Sequence, residues 1–422
     1  MIALFATCLI ILFVGLACSR NDFSSPSAVT AIVWLACAAL FQWSSHDLPP
    51  LKPQTTTAIC IWAACLAFSS LLTQACRYSK SRLDEPSLLV RNIYLGISIL
   101  TFPMLLQFAH SAIATGETGN WALDLRLAAL GETKTHKEPY ENFFVLIWQV
   151  SFFLELIADE HRSRKRMLVA GLIFIAYGFV TMSKIIITTS FIMAAVILHM
   201  KGKVSNRQMA YAAAGTAAFI IAIQLLRHSR LDAGGESMLT IYTFGNMSSL
   251  DTVAPASASH WGENTFRFFY AILHKLSICQ TEPVDPLLGW ISKPLKTNTY
   301  SGLYPFYKDF GTVGVGIFAA ILGGLYGWIY KKAKSGNNYY IALYAFFINI
   351  IILQFVAEQF FTILSRNLKF IILLAIPFAC TKHGLLLFKE KIGRKPAVEA
   401  AQGEGDHPAP ERTGAEEQPD RL

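Results

Sequence analysis

Apolar runs long enough to cross a bilayer follow one another through this chain, and the pattern is broken at length only between Leu226 and Phe310. A spanning helix needs roughly 20 mostly apolar residues at about 1.5 Å per residue. That criterion predicts about eleven membrane helices, near residues 2–18, 28–44, 57–75, 93–114, 143–158, 167–181, 185–200, 209–226, 311–330, 339–363 and 367–388. The run Met167–Met200 has one polar interruption, at Thr181–Lys184. As a single helix it would reach roughly 50 Å across a core of about 30 Å, so it reads as a hairpin with Lys184 at its turn.

Charge tests that count. The loops after spans one, three, five, seven and nine hold Arg20; Arg77, Lys80, Arg82 and Arg91; Arg162, Arg164, Lys165 and Arg166; Lys201, Lys203 and Arg207; and Lys331, Lys332 and Lys334. Basic loops stay on the cytoplasmic side. The alternation therefore predicts a periplasmic N-terminus and a cytoplasmic C-terminus, and only the split of 167–200 keeps it in phase. The expected fold is all-α and polytopic. Residues 1–226 would carry helices one to eight, 227–310 a large periplasmic loop, 311–388 helices nine to eleven, and 389–422 a disordered polar tail. The first span lacks a basic start, and Cys18 follows a poor lipoprotein cleavage sequence, so it reads as an uncleaved helix.

Composition narrows the function classes. Only 15% of residues are charged while 53% are hydrophobic, against roughly a quarter charged in soluble domains. The net charge of +8 then reports topology, and nucleic acid is not an expected partner. Seven of the eight cysteines lie in or at the edge of spans, and Cys279 stands alone in the large loop, so no disulfide framework is predicted. Neither Cys/His metal spacing nor a glycine-rich phosphate loop is present, which argues against a metal, a cofactor or soluble nucleotide chemistry.

The remaining polar groups gather, on this topology, at the periplasmic face. Lys184, Arg227, Arg230, Asp309, Glu358 and Arg366 lie near outer helix ends, with Arg126 and Lys134 in the preceding outer loop. Several cations beside a membrane suit a pyrophosphate headgroup, because Arg grips phosphate oxygens with a planar fork and Lys adds a point charge. Each has a plainer reading. Lys184 is also a turn lysine that snorkels to water; Arg227 and Arg230 share a helical face that also suits lipid headgroups. Glu358 is an ionisable group within an apolar run, where charge is costly and usually paired; it serves chemistry or makes a structural ion pair with Arg366 or another nearby cation. Glu155 reads as structural; His228, His260, His274 and Glu263 are each candidate proton acceptors, although a lone loop histidine is usually just solvated. Tyr300, Tyr304, Phe306 and Tyr307 beside Trp290 either stack on sugars or line the membrane interface. Gly311, Gly314, Gly316, Gly323, Gly324 and Gly327 most simply allow close helix packing.

The most specific run is Asn298-Thr-Tyr300, followed by Asp309-Phe-Gly311-Thr-Val-Gly314. It resembles the signature of the Wzy-type oligosaccharide repeat-unit polymerases, the O-antigen polymerases of bacterial envelopes. The motif match covers about 295–330, and the architecture is similar over most of the chain. The resemblance implies a fold like that of lipid-dependent (GT-C-like) glycosyltransferases. It also implies an inner-membrane enzyme that joins undecaprenyl-pyrophosphate-linked repeat units at the periplasmic face without a metal. Implied partners are those lipid-linked glycans, membrane lipids, a chain-length regulator and a flippase. On that footing Asp309, Glu358 and Arg230 are the catalytic candidates. Arg126, Lys184, Arg227, Asn298, Tyr300, Tyr304 and Arg366 are the substrate-binding ones. Arg227 and Arg230 do not reproduce one Arg–Gly spacing of the family with Gly245, so their role rests on position. The alternatives are an O-antigen ligase and, in another class, a polysaccharide flippase; the absence of an internal repeat disfavours a transporter.

Overall fold

The computed structural model describes residues 1–76, 85–133, 141–209, most of 211–218, 240–241, 243–285, 288–289, 291, 293 and 297–381, without the side chains of 141, 142, 184 and 185. Met1–Cys380 form one unit; the second, Thr381–Leu422, lies beyond Thr381 outside the described residues, as does the predicted disordered tail. Helices dominate: α1 (Ile2–Cys18), α2 (Pro26–Trp43), α3 (Pro53–Ala75), α4 (Leu88–Ala114), α5 (Trp121–Leu130), α6 (Glu141–Ile157), α7 (Arg164–Val180), α8 (Lys184–Met200), α9 (Gly245–Leu250), α10 (Arg267–Lys275), α11 (Tyr304–Lys334), α12 (Asn338–Ile352) and α13 (Leu364–Ala379). Among the described residues there is no strand, only isolated bridges such as Ser301 to Ala357.

Five segments are long and apolar enough to cross a membrane: Pro26–Trp43, Pro53–Ala75, Leu88–Ala114, Tyr304–Lys334 and Asn338–Phe355. Ile2–Cys18, Phe143–Ile157 and Ile186–Met200 are shorter apolar helices. The hairpin at 181–183 forms, with α7 and α8 packed together. The eighth expected span, 209–226, is helical at its described residues up to Ala218 and otherwise lies outside them. Local chemistry sets the ends. Ser25 caps α2 by accepting from the Ala28 amide, with Pro26 in the first turn; Asn120 caps α5, and Gly131 closes it with a left-handed φ of 78°.

Two spans differ from expectation. The helix expected over 339–363 ends at Ile352, because the chain passes through a short 3-10 turn, Leu353–Phe355, into an irregular segment that reaches α13 at Leu364. The span expected to start at 311 belongs to a helix that starts at Tyr304 and kinks at Gly311, where φ 64° and ψ −155° are non-helical. That pair of angles falls in a region that essentially glycine alone occupies. The kink is severe. Phe306 and Phe318 stack with centroids 4.7 Å apart, whereas twelve residues of straight helix would separate them by about 18 Å. The segment Tyr304–Phe310 thus folds back along the rest of α11.

Below the kink α11 packs on α3. A Cβ on Gly323 would stand 2.2 Å from the Leu66 carbonyl oxygen, and one on Gly327 2.3 Å from that of Ser70. Small residues let the two backbones touch, as expected for Gly323 and Gly327. Gly316 faces Ile61, Gly323 faces Leu66 and Gly327 faces Ser70, so the two helices run in the same direction. For Gly311, close packing is not the role: its function is the kink.

One end of the bundle collects ion pairs, of which Arg91–Glu155 is fully buried. Arg91 and Arg166 both grip Glu155, at 2.9 and 2.8 Å. Lys203 pairs with Asp159 at 3.1 Å, Lys201 also binds Asp159, and Lys334 pairs with Asp22 at 2.8 Å. These groups flank the loops after spans one, three, five, seven and nine, so the loops predicted to share a side do meet at one end. Glu155 is structural, as expected: burying a charge is tolerable only when it is paired and hydrogen-bonded. Asp22 also accepts from Tyr330 and Ser24. Burial opposes its ionisation, yet the hydrogen bonds from His199, Lys334, Ser24 and Tyr330 together hold its carboxyl well below the usual carboxylate range.

Candidate functional site

The opposite end of the bundle holds the irregular backbone. α12 gives way after fifteen residues to the irregular segment 353–363. Backbone polar groups that leave helical geometry in a buried setting need other hydrogen-bond partners. Here the partners are specific. The Ser301 amide donates to the Val356 carbonyl at 3.1 Å and the Gly302 amide to that of Gln354 at 2.7 Å. The Trp62 indole, from α3, donates to Gln354 Oε1 at 2.6 Å. Gly302 has to be glycine: a Cβ there would sit 2.7 Å from the Gln354 carbonyl oxygen.

Glu358 lies in this segment and is 8% exposed. Its carboxylate accepts from the amides of Phe360 (2.7 Å), Phe361 (3.0 Å) and Thr362 (2.6 Å). Successive amides turned toward one anion form a nest, and this one holds the carboxylate with no ion pair among the described residues. Arg366, two residues into α13, is exposed and does not pair with Glu358, so the plainer reading of Glu358 as the partner of Arg366 does not hold. Arg366 instead lies within electrostatic reach of Tyr177 at the end of α7.

Asp309 has a similar setting on the neighbouring segment. It accepts from the side-chain amide of Asn264 at 2.6 Å, and from the backbone amides of Asn264 at 3.3 Å and Thr265 at 2.7 Å. The kink two residues later releases carbonyls that a straight helix would use internally. Tyr307 O accepts from the Ala256 amide at 3.0 Å, and Lys308 O from those of Ser257 and Ala258 at 2.8 and 3.2 Å. Asp309 and the freed carbonyls together clamp the 254–265 loop onto α11. Glu263 braces the same loop from the amides of Ser259 and His260.

The other expected residues distribute around this end. Tyr300 is buried, its hydroxyl donating to Gly289 O at 2.9 Å, and burial raises its phenol above the ordinary value. Its ring lies 5.1 Å from that of Tyr304, whose hydroxyl accepts from Lys308 Nζ at 3.1 Å. Asn298 is half-buried, and Thr299 beside it donates to Asn246 Oδ1 on α9. Arg126 is half-buried on α5, which packs through Ala122 and Leu125 against Phe108 and Ala112 of α4 and Met182 of the α7–α8 turn. The structure therefore brings Arg126 to the turn that precedes Lys184, and brings Tyr300, Tyr304, Asp309 and Glu358 onto adjoining segments. Arg227, Arg230 and the Lys184 side chain lie outside the described residues.

Three residues join this site that the hydropathy pattern had hidden. Trp62, Gln354 and Tyr326 line, with Gly302 and Glu358, a small cavity of about 20 Å³, enough for about one water. Gln354 is 4% exposed, and its Nε2 meets no hydrogen-bond partner among the described residues. The available signal was a glutamine near the end of an apolar run, where polar groups are costly. Behind that lining, Phe306 stacks on Trp62 at 5.6 Å and meets Phe361 edge-on at 5.8 Å.

A buried carboxylate in an amide nest and a second carboxylate on the adjoining helix are groups that can take a proton from a hydroxyl. Residues 134–355 match the family model described as "Putative O-antigen polymerase". No curated protein and no solved structure matches the chain.

Proposed function

The chain belongs to the O-antigen polymerase family, and we propose that it joins oligosaccharide repeat units carried on undecaprenyl pyrophosphate by glycosyl transfer at the periplasmic face of the inner membrane. The end bearing 301–303 and 353–363 faces the periplasm, since the opposite end gathers Arg91, Arg166, Lys201, Lys203 and Lys334. What supports the site most is the bridge between Ser301 and Ala357, which sets the Asn298-Thr-Tyr300 run beside Glu358.

In this reading an acceptor sugar hydroxyl gives its proton to Glu358 as its oxygen attacks the anomeric carbon of the donor. The bond from that carbon to the pyrophosphate oxygen breaks, and undecaprenyl pyrophosphate leaves. Glu358 is favoured over Asp309 as base because it borders the cavity with Gln354 and Tyr326, while Asp309 holds the 264–265 backbone. Three amides use only part of a carboxylate's roughly four acceptor sites. Arg126, Lys184, Arg227 and Arg230, with Arg366, offset the charge on the leaving pyrophosphate in place of a metal. Tyr300, Tyr304 and Asn298 shape the sugar side. The fold is of the lipid-dependent glycosyltransferase kind, and a flippase and a chain-length regulator work beside it.

The test is the surface glycan of a strain lacking this chain. A single repeat unit on lipid A supports the proposal. Unattached long polymer would make the protein a ligase, and loss of all surface glycan a flippase.

A further inference from the structure

The helix α10, Arg267–Lys275, is built unlike the rest of the described chain. At 100° per residue, Phe268, Phe269, Ile272, Leu273 and the following Leu276 fall on one face, and Arg267, Tyr270, Ala271, His274 and Lys275 on the other. None of its residues is buried. Phe269 is 49% exposed and Leu276 62%. A bare apolar face of this kind, in a helix of mixed polarity, is the pattern of a helix that lies in a membrane interface.

The position of α10 says what covers that face. Phe266, immediately before it, packs on Phe310 and on Phe318, with centroids 6.3 and 5.8 Å apart. Phe318 lies two turns below the kink in the membrane-spanning part of α11, whose outward stripe of Val313, Ile317 and Ile321 is more than half exposed. Such a stripe, on a helix long enough to span, faces lipid. α10 therefore leaves the bundle beside a lipid-facing surface and continues it with its own apolar face. Its polar face carries Arg267, His274 and Lys275 and no acid, which suits anionic lipid headgroups.

We propose that α10 lies flat in the membrane interface beside α11, its Phe269, Ile272, Leu273 and Leu276 face seated among phospholipid acyl chains. It anchors the 254–285 segment to the bilayer next to the Asp309 clamp. The anchor is independent of any enzymatic role, so its test needs no turnover.

The full-length protein, purified into nanodiscs of phosphatidylethanolamine and phosphatidylglycerol, is prepared with p-benzoylphenylalanine at Ile272, at Leu276 or at His274. All three side chains are exposed, so the fold tolerates the change. After irradiation, intact mass spectrometry reads what each position has captured. The expected result is adducts of phospholipid mass at 272 and 276, with several-fold less at 274. Equal lipid capture at all three positions, capture of the chain itself or of a second copy, a polyprenyl-mass adduct, or no adduct at 272 and 276 would each overturn the proposal.

Discussion

The carbonyl oxygen of Phe306 lies 2.9 Å from where a Cβ on Gly314 would stand, and the Cβ of Phe310 lies 2.3 Å from the same point. Residues eight apart meet in this way only because α11 folds back at Gly311. Gly314→Ala forces a backbone carbonyl to move, and overpacking of this sort costs about 1–3 kcal/mol. A lowered thermal midpoint of the purified protein is expected. Gly324→Ala is the control, because its nearest neighbour, Thr73 Cγ2, is 3.8 Å away; it should leave the midpoint unchanged or raise it.

Gly311→Ala attacks the same feature through the backbone. An alanine held at φ 64°, ψ −155° carries strain of about 1–3 kcal/mol. Relief would straighten the helix and withdraw the Tyr307 and Lys308 carbonyls from the amides of 256–258. Limited proteolysis should then cut the 254–265 loop faster than in the parent protein. An unchanged cleavage rate would mean that the kink does not hold that loop.

Removal of Glu155 leaves Arg91, 2% exposed, without its counter-charge. Breaking a buried pair from one side costs about 3–5 kcal/mol. Glu155→Ala should lower the yield of folded protein and the thermal midpoint severely, while Asp159→Ala, at a side chain that is itself 47% exposed, has a much smaller effect. Equal effects would contradict the structural ranking of the two networks.

Asp22 gives a pH dependence with a definite sign. Its carboxyl sits below the ordinary range in the folded protein, so its contribution is complete above the unfolded value, about 3.9, and erodes as pH falls below it. Asp22→Asn should lower the thermal midpoint near neutrality, with the gap to the parent protein closing below about pH 4. A gap that stays constant at lower pH would exclude an ionised Asp22 as the source.

The sequence carried the bundle well because its signal is physical and local. Apolar length located α1 to α4 and α6 to α8 but not the short α5, and the phase of basic residues required the hairpin at 181–183, which the ion pairs of Glu155, Asp159 and Asp22 bear out. Hydropathy failed where apolar residues leave helical geometry. Phe355, Phe360 and Phe361 read as a continuation of α12, yet they line an irregular segment satisfied by Ser301, Gly302 and Trp62, which are far away in sequence. Of the candidate site, Asp309 and Glu358 were legible as charges in apolar surroundings. Gln354 and Tyr326 were not, because only the fold shows that they border the same cavity. The glycines of the Asp309–Gly314 run were visible as small residues, but their separate duties, a kink and a close approach, need coordinates.

Glu358 is the residue we propose takes the acceptor proton in the glycosyl transfer. The direct measurement is turnover of a purified lipid-linked repeat unit by the parent protein and by Glu358→Gln, with product length read on a gel and thermal unfolding recorded for both. A ladder of polymer from the parent, and no product from a variant that still unfolds cooperatively at a similar temperature, is the predicted result. A ladder from folded Glu358→Gln comparable to the parent's would contradict the account.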